Sequence, residues 1–215
     1  MPYGFIVRNQ YGAIVIDSEH RHTVFYDKRP ATLTDVGAYD GKTPFGKIVE
    51  LGFLNSNYWP GEGFLHWIRF SPGSWGLPGA WMFKPNGVEI IRTSRTQPIQ
   101  SGNLNVRNGS GELIWSDISS YDMPRIKGFI HPTFDVDNNV QGLQPGFNPW
   151  ILLNNIPGNL SDDGEGVMGY SGLFMRWDGA TLQYKWQQQY QKSFRDTFSN
   201  REILNIPYAT FNYGR

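Results

Sequence analysis

Two groups of side chains in this sequence have the spacing of metal ligands. His20 and His22 are separated by one residue, so a β-strand would place both imidazoles on the same side. Zinc usually takes three or four protein ligands, and no other histidine lies close to this pair in the sequence. The alternative is a pair of exposed histidines at the end of a strand.

Oxygen ligands at alternate positions form the second group. Asp135, Asp137 and Asn139 resemble the start of a calcium-binding loop, but Val140 stands where a glycine is expected and no glutamate closes the loop. A turn in which Asp and Asn bond to their own backbone explains the pattern better. We therefore expect neither a metal nor another cofactor.

Glu62 is the candidate catalytic residue of the sequence. It lies in the aromatic segment 58–67, and such surroundings raise the pKa of a carboxyl group, as an acid catalyst requires. A glycosidase needs two carboxyl groups that flank the sugar, and no second one is identifiable. A Gly-x-Ser-x-Gly elbow and a phosphate-binding glycine loop are also absent from the sequence. We therefore predict that the protein is not an enzyme, with a glycan hydrolase that uses Glu62 as the less favoured alternative.

Tryptophan and tyrosine residues in or beside Gly/Pro-rich segments are the candidate binding residues. Such rings offer rigid contact area to a protein or to the face of a sugar. The alternative is that they form the core of a chain that contains little Leu and Ala. We expect most tryptophans in the core and a minority at a contact surface, with these candidates: Tyr58, Trp59, Trp67, Trp75 and Trp150.

Composition excludes several classes of protein. The chain has 215 residues, no cysteine, and 19 basic against 19 acidic side chains. It therefore has no disulfide or thiolate site, and its net charge gives no reason to expect nucleic acid or an anionic membrane as a partner. No apolar run approaches the roughly 20 residues of a membrane span, and residues 1–12 lack the pattern of a signal peptide. We expect neither membrane insertion nor secretion by a signal peptide.

Short β-forming runs joined by turns must position these residues. Runs at 5–16, 79–93 and 173–190 each surround a turn that contains glycine, which predicts three hairpins. The run at 64–70 predicts a further strand, and residues 192–201 a short helix or turn. The sequence thus predicts an all-β, antiparallel, sandwich-like fold of one or two modules rich in hairpins.

One segment of the sequence is repeated. Residues 7–16 match residues 106–115 with a shift of 99, including Val-Arg-Asn, the turn glycine and the following apolar residues. Two hairpins that converged on a favoured turn would explain the match within one continuous β domain, 1–215. The alternative is an N-terminal β module, 1–98, and a related C-terminal β module, 99–215.

The opening residues also carry a resemblance. Tyr3-Gly4, the turn from Asn9 to Gly12, and Asp17-Ser18 make residues 1–18 similar to the start of tail-tip and tail-fibre-associated structural proteins of long-tailed bacteriophages. The resemblance implies a virion protein of the tail, made in the host cytoplasm, with other tail proteins as partners. It implies a homo-oligomer such as a trimer and contact with a host-surface glycan or protein receptor, but no catalytic residue. The alternative function is a stand-alone carbohydrate-binding β-sandwich module that uses Trp59 and Trp67.

Overall fold

The computed structural model of the chain describes residues 6–18, 20–46, 48–55, 63–162 and 168–212. The strands found in these ranges are β1 (Ile6–Arg8), β2 (Ile14–Asp17), β3 (Val24–Pro30), β4 (Leu33–Lys42), β5 (Ile48–Leu54), β6 (Phe64–Phe70), β7 (Ser74–Leu77), β8 (Met82–Phe83), β9 (Val88–Ser94), β10 (Asn105–Arg107), β11 (Leu113–Ser116), β12 (Arg125–Ile130), β13 (Gln141–Leu143), β14 (Trp150–Leu152), β15 (Gly158–Asp162), β16 (Met168–Trp177), β17 (Leu182–Gln189) and β18 (Ile206–Thr210). Helical turns are short: one α-helix, α1 (Phe194–Thr197), and the 3-10 turns Pro78–Ala80, Ser119–Asp122, Phe134–Asp137 and Leu153–Asn155. None of the described helices is long and apolar enough to cross a membrane.

The strands form two large sheets and two small ones. The six-stranded sheet has the order β12-β18-β14-β6-β9-β3. The eight-stranded sheet has the order β13-β17-β16-β7-β8-β5-β4, and β15 also pairs with β16. Strand pairs in both sheets are antiparallel. The predicted all-β, antiparallel, sandwich-like fold is therefore confirmed.

The largest apolar cluster lies between the two large sheets. Ile68 and Ile90 of the six-stranded sheet share it with Leu173 and Trp186 of the eight-stranded sheet. Because the cluster takes side chains from both sheets, the sheets pack face to face, as in a β-sandwich.

The six-stranded sheet is apolar on its other face as well. Trp67, Ile91 and Trp150, which alternate along their strands with residues of the large core, form a separate buried cluster. We call this side the outer face of the six-stranded sheet. Strands that are buried on both faces read as continuous apolar runs without alternation, which explains the pattern of residues 64–70.

Two of the three predicted hairpins are confirmed. β1 pairs with β2, and β16 pairs with β17 across a turn in which Asp178 Oδ1 accepts hydrogen bonds from the backbone of Ala180 and Thr181. The predicted short helix near 192–201 is α1, with Ser193 as its N-cap. The turn bonds and the cap are local interactions, which is why sequence patterns identify these elements.

The predicted hairpin at 79–93 is wrong. β8 pairs with β5 and β7 in the eight-stranded sheet, whereas β9 pairs with β3 and β6 in the six-stranded sheet. The turn at 84–87 therefore carries the chain from one sheet to the other. Glycine is favoured at position 87 because a Cβ atom there would lie 2.8 Å from the backbone carbonyl oxygen of Lys84 and 1.9 Å from Ser74 Oγ.

A division of the chain at residue 98 does not separate the two sheets. The six-stranded sheet joins β3, β6 and β9 to β12, β14 and β18, and the eight-stranded sheet likewise combines strands from both sides of this position. The predicted pair of modules, 1–98 and 99–215, therefore does not correspond to the arrangement of the strands.

The repeated segment forms the same hairpin twice. We name β1–β2 hairpin 1 and β10–β11 hairpin 2. Their pairings, from Ile6↔Asp17 in one and Asn105↔Ser116 in the other, keep the 99-residue offset and share a bulge at the same place. In hairpin 1, Asn9 Oδ1 accepts backbone hydrogen bonds of 2.9 and 3.1 Å, and Asn108 Oδ1 of hairpin 2 accepts bonds of 3.1 and 2.9 Å at the equivalent positions.

Turn glycines and arginines of the two hairpins are equivalent too. Gly12 and Gly111 both have φ of +79°, a conformation that favours glycine. Arg8 Nη1 donates to the carbonyl of Gly12, and Arg107 Nη1 donates to that of Gly111, both at 2.8 Å. The match in sequence is thus a match in backbone and side-chain bonding.

Candidate functional site

A groove of about 660 Å³ lies between hairpin 1 and the outer face of the six-stranded sheet. Leu65 and Trp67 of β6 and Leu152 of β14 line it on the sheet side. Pockets of roughly 300–1,000 Å³ accommodate small molecules. This groove is therefore the candidate binding site of the described structure.

Hairpin 1 forms one wall of the groove through Tyr11, Ala13, Ile14 and Val15. The hairpin is anchored at its turn, where Asn9 Nδ2 donates a 2.9 Å hydrogen bond to the carbonyl of Ile126 on β12. The same asparagine thus shapes the turn and fixes the hairpin beside the sheet.

Hairpin 2 contributes one residue, Trp115, to the described lining of the groove. Trp115 of β11 lines the groove and packs with Val24 and Met123, and Ile16 of hairpin 1 joins this cluster. Ile16 and Trp115 occupy equivalent positions of the two hairpins, so the same strand position of each hairpin contributes to this cluster.

The charged residues that line the groove in the described structure are basic. Arg125 and Lys127 of β12 line it, and no described aspartate or glutamate does. His22 and Trp115 also line it, and in the described structure neither His22 Nε2 nor Trp115 Nε1 has a hydrogen-bond partner. Burial is the main cause that lowers the pKa of His22; Asp17 acts in the opposite direction, and His20 adds to the lowering.

Hairpin 1 is unusual in the number of large apolar side chains that it exposes. Ile6 is 55% exposed and Tyr11 is 42% exposed, and Val7, Ile14 and Val15 are exposed as well. The equivalents of Ile6 and Tyr11 in hairpin 2 are the polar residues Asn105 and Ser110.

Three of the aromatic candidates are buried. Trp67, Trp75 and Trp150 are each 2% exposed, so the prediction that these rings are exposed is wrong. Trp67 Nε1 donates to Thr93 Oγ1 at 3.2 Å, which satisfies its polar atom within the outer face of the six-stranded sheet.

Arginine side chains cover the other two rings. The guanidinium carbon of Arg176 lies 4.3 Å from the ring centre of Trp75, and that of Arg69 lies 4.6 Å from the ring centre of Trp150. Such cation–π contacts bury an aromatic face beneath a charged group. Sequence patterns did not indicate this cover because the arginines lie on other strands.

The remaining aromatic candidates, Tyr58 and Trp59, lie outside the described residues, as does Glu62. Their predicted roles in binding and hydrolysis stay predictions. Trp67, proposed with Trp59 as a sugar platform, lacks the exposed ring face that stacking requires.

Four of the five residues considered as metal ligands, all but His22, have side-chain hydrogen-bond partners within the described structure. His20 Nδ1 lies 2.9 Å from Asp17 Oδ2. Asp137 accepts hydrogen bonds from the backbone of Phe194 and Arg195 at the start of α1. Within the described ranges, no group of three or more His, Asp or Glu side chains could hold a metal ion.

The calcium-like segment is a short 3-10 turn, Phe134–Asp137. Asn139 Nδ2 donates to Asp135 Oδ1 at 2.6 Å, and the backbone N–H of Asn139 donates to the carbonyl of Asp135 at 2.8 Å. The Asp and Asn residues therefore stabilise a turn, in agreement with the alternative that the sequence favoured.

Sequence reasoning missed several residues of the groove. Tyr11, Trp115, Arg125 and Lys127 come from three separate segments and carry no common motif. The repeat of hairpin 1 in hairpin 2 was the only signal near them, because it marked two elements that meet beside the groove.

Comparison with known proteins gives a family and no close relative. Neither the curated proteins nor the solved structures contained a match to the chain. The model of one family, DUF8377, described as a domain of unknown function, matches residues 1–213, so the chain belongs to this family.

Proposed function

We propose that the protein is a structural component of a phage tail tip or tail fibre and that it self-associates through hairpin 1. The observation that carries the proposal is the exposed apolar surface of this hairpin. Contiguous apolar surface on a soluble protein marks a contact with another protein or a ligand. The proposal assigns no catalytic step to the chain.

The comparison of the two hairpins supports this assignment. Both adopt one backbone conformation, so that conformation does not require apolar residues at positions 6 and 11. Hairpin 2 has Asn105 and Ser110 there, whereas hairpin 1 has Ile6 and Tyr11. A contact outside the hairpin accounts for the apolar residues.

The strand pairing of hairpin 1 also supports self-association. In the described structure β1 and β2 pair only with each other, and a two-stranded sheet is marginally stable in water. Association with a neighbouring subunit would bury its exposed side chains and stabilise it.

The assignment to a tail rests on the similarity of residues 1–18 to tail-tip and tail-fibre-associated proteins. Tail appendages are symmetric assemblies, and closed symmetric homo-oligomers are common among soluble proteins. A trimer with hairpin 1 at the subunit contact is the assembly that we propose, with other tail proteins as further partners.

Size-exclusion chromatography with light scattering tests the contact. We expect the full chain to be a defined oligomer and the double variant Ile6→Asn/Tyr11→Ser to be a monomer, because its new residues are those of hairpin 2. Leu104→Asn, which removes an exposed apolar side chain beside hairpin 2, is the matched control and should remain oligomeric. A monomeric wild-type chain, or an oligomer that the double variant leaves unchanged, would refute the proposal.

The genes beside the coding sequence test the assignment to a tail separately. Tail genes on both sides would support it. Metabolic genes on both sides would overturn it even if the chain is an oligomer.

A further inference from the structure

The apolar lining of the groove indicates that a ligand bound there has an apolar body. Aliphatic side chains from both sides of the groove, including Ile14 and Val15 of hairpin 1 and Leu65 and Leu152 of the sheet, line it. Burying such surface favours hydrocarbon or an aromatic ring, and the volume of about 660 Å³ admits a small molecule.

The basic residues at the groove indicate that the other end of the ligand is anionic. Arg125 and Lys127 are cationic donors, and no acidic residue of the described chain lines the groove with them. The Nε1–H of Trp115 is a donor only, and it is buried without a partner within the described chain. Two cationic donors with no carboxylate among the described lining residues favour a ligand group that accepts hydrogen bonds and carries negative charge.

His22 adds to this set of donors. Its Nε2 atom is buried and has no partner in the described part of the chain, so its N–H tautomer can donate to a ligand. Trp115 is 8% exposed, and a buried polar atom without a hydrogen bond costs free energy. An acceptor on the ligand removes this cost only where ligand binding shifts the groups that now cover these two atoms.

We propose that the groove between hairpin 1 and the six-stranded sheet binds a small amphipathic anion, with an apolar body against Leu65 and Leu152 and an anionic group near Arg125 and Lys127. An apolar cation would meet two positive charges and no compensating acid. A neutral sugar would leave the aliphatic lining without an apolar partner. The inference does not depend on a tail location, and it shares Ile14 and Val15 with the surface proposed for self-association, so the tests measure ligand binding and oligomeric state separately.

Isothermal titration calorimetry with decanoate, decan-1-ol and decyltrimethylammonium tests the ligand class, since the three probes share one hydrocarbon chain. We expect decanoate to bind and the other two to bind at least about tenfold more weakly, because one charge-assisted hydrogen bond contributes enough for this ratio. Equal binding of decanoate and decan-1-ol would overturn the anionic part of the proposal, and no binding of decanoate would overturn it entirely.

Two variants test the site. Arg125→Gln/Lys127→Gln should weaken decanoate binding by about tenfold or more and remove the preference over decan-1-ol. Lys192→Gln/Arg201→Gln makes the same change of charge at exposed positions outside the groove lining and should bind like the wild type. Wild-type affinity for decanoate in the Arg125→Gln/Lys127→Gln variant would place the anionic group elsewhere. An equal loss of affinity in both double variants would do the same.

Ala13→Leu tests the apolar part of the site. Ala13 lines the groove and is 8% exposed, and the hairpin backbone carries a larger side chain at the equivalent, exposed position Glu112. We expect weaker binding of decanoate with an unchanged circular dichroism spectrum. Unchanged affinity in this folded variant would contradict the proposed location.

The test also separates this proposal from self-association. Ile6→Asn removes an exposed residue of hairpin 1 that does not line the groove, so it should change the oligomeric mass and leave decanoate affinity intact. Native mass spectrometry would reveal a co-purifying polypeptide. A polypeptide that occupies the groove and excludes decanoate would overturn the proposal in favour of a protein occupant.

Discussion

Replacement of His66 by phenylalanine should make the protein more resistant to acid. His66 is 1% exposed, and within the described structure neither of its ring nitrogens has a hydrogen-bond partner. Burial lowers the pKa of His66 from 6.5 to about 4; the neighbouring Arg92 adds to the lowering, and Asp27 opposes it. The ring of Trp81 contacts His66 edge-on, at 6.0 Å between ring centres.

The direction of the effect follows from proton binding. On acidification the unfolded chain protonates His66 near pH 6.5, whereas the folded chain protonates it only near pH 4. Between these values the unfolded state binds more protons, so the free energy of unfolding falls as the pH falls. Each pKa unit corresponds to about 1.4 kcal/mol, so His66 accounts for a loss of about 3 kcal/mol by pH 4.

Urea unfolding followed by tryptophan fluorescence, between about pH 7 and pH 4, measures this loss. His66→Phe keeps a ring of similar shape and removes two unpartnered nitrogens, so we expect little change at neutral pH. Near pH 4 we expect the variant to be more stable than the wild type by about 2–3 kcal/mol. Burial raises the pKa values of the Asp27 and Glu89 carboxyl groups, but the neighbouring basic side chains outweigh it and lower them on balance, and both groups are present in both proteins.

His131→Phe is the matched control, because His131 is exposed. It should lose stability with falling pH in parallel with the wild type. If the His66→Phe curve also runs parallel to the wild type, the buried histidine is not a source of acid sensitivity and the reasoning is refuted.

Two further predictions concern the turn asparagines and two glycines. Asn9→Ala should reduce the free energy of unfolding by about 1 kcal/mol more than Asn108→Ala, because Asn9 Nδ2 bonds across to β12 whereas Asn108 Nδ2 bonds, in the described structure, only to the exposed Glu112 of its own hairpin; equal losses in urea unfolding would contradict this. Gly79→Ala should destabilise the protein by about 3 kcal/mol, because its Cβ would lie 2.1 Å from the carbonyl oxygen of Pro157. Gly109→Ala, with open space around the new Cβ, should change stability by less than about 0.5 kcal/mol, and a similar melting temperature for the two alanine variants would refute this contrast.

Turn chemistry made part of the fold predictable. The Asn-x-x-Gly turn of hairpin 1 and the Asp-Gly turn before β17 use bonds within a few residues, and both hairpins form. The turn at 84–87 looks equally favourable in the sequence but joins strands of different sheets. The sequence around a turn does not reveal whether its flanking strands pair with each other or with distant strands.

Burial of the tryptophans was hard to predict for a related reason. Trp150 lies beside a Gly/Pro-rich segment, which suggests exposure, but Arg69 from another strand covers its ring. The groove depends in the same way on contacts between distant segments, such as Asn9 with Ile126. Local patterns contain the type of each residue but not which distant strand will lie against it.

The place of β18 in the six-stranded sheet has a consequence for synthesis of the protein. β18 lies between β12 and β14, although it follows every other described strand in the chain. The sheet therefore stays split until β18 has been translated. Until then the apolar faces of the earlier strands lack their final neighbours, a situation that favours aggregation of nascent chains. A ribosome-stalled chain that ends before Ile206 should accordingly be protease-sensitive and bound by chaperones.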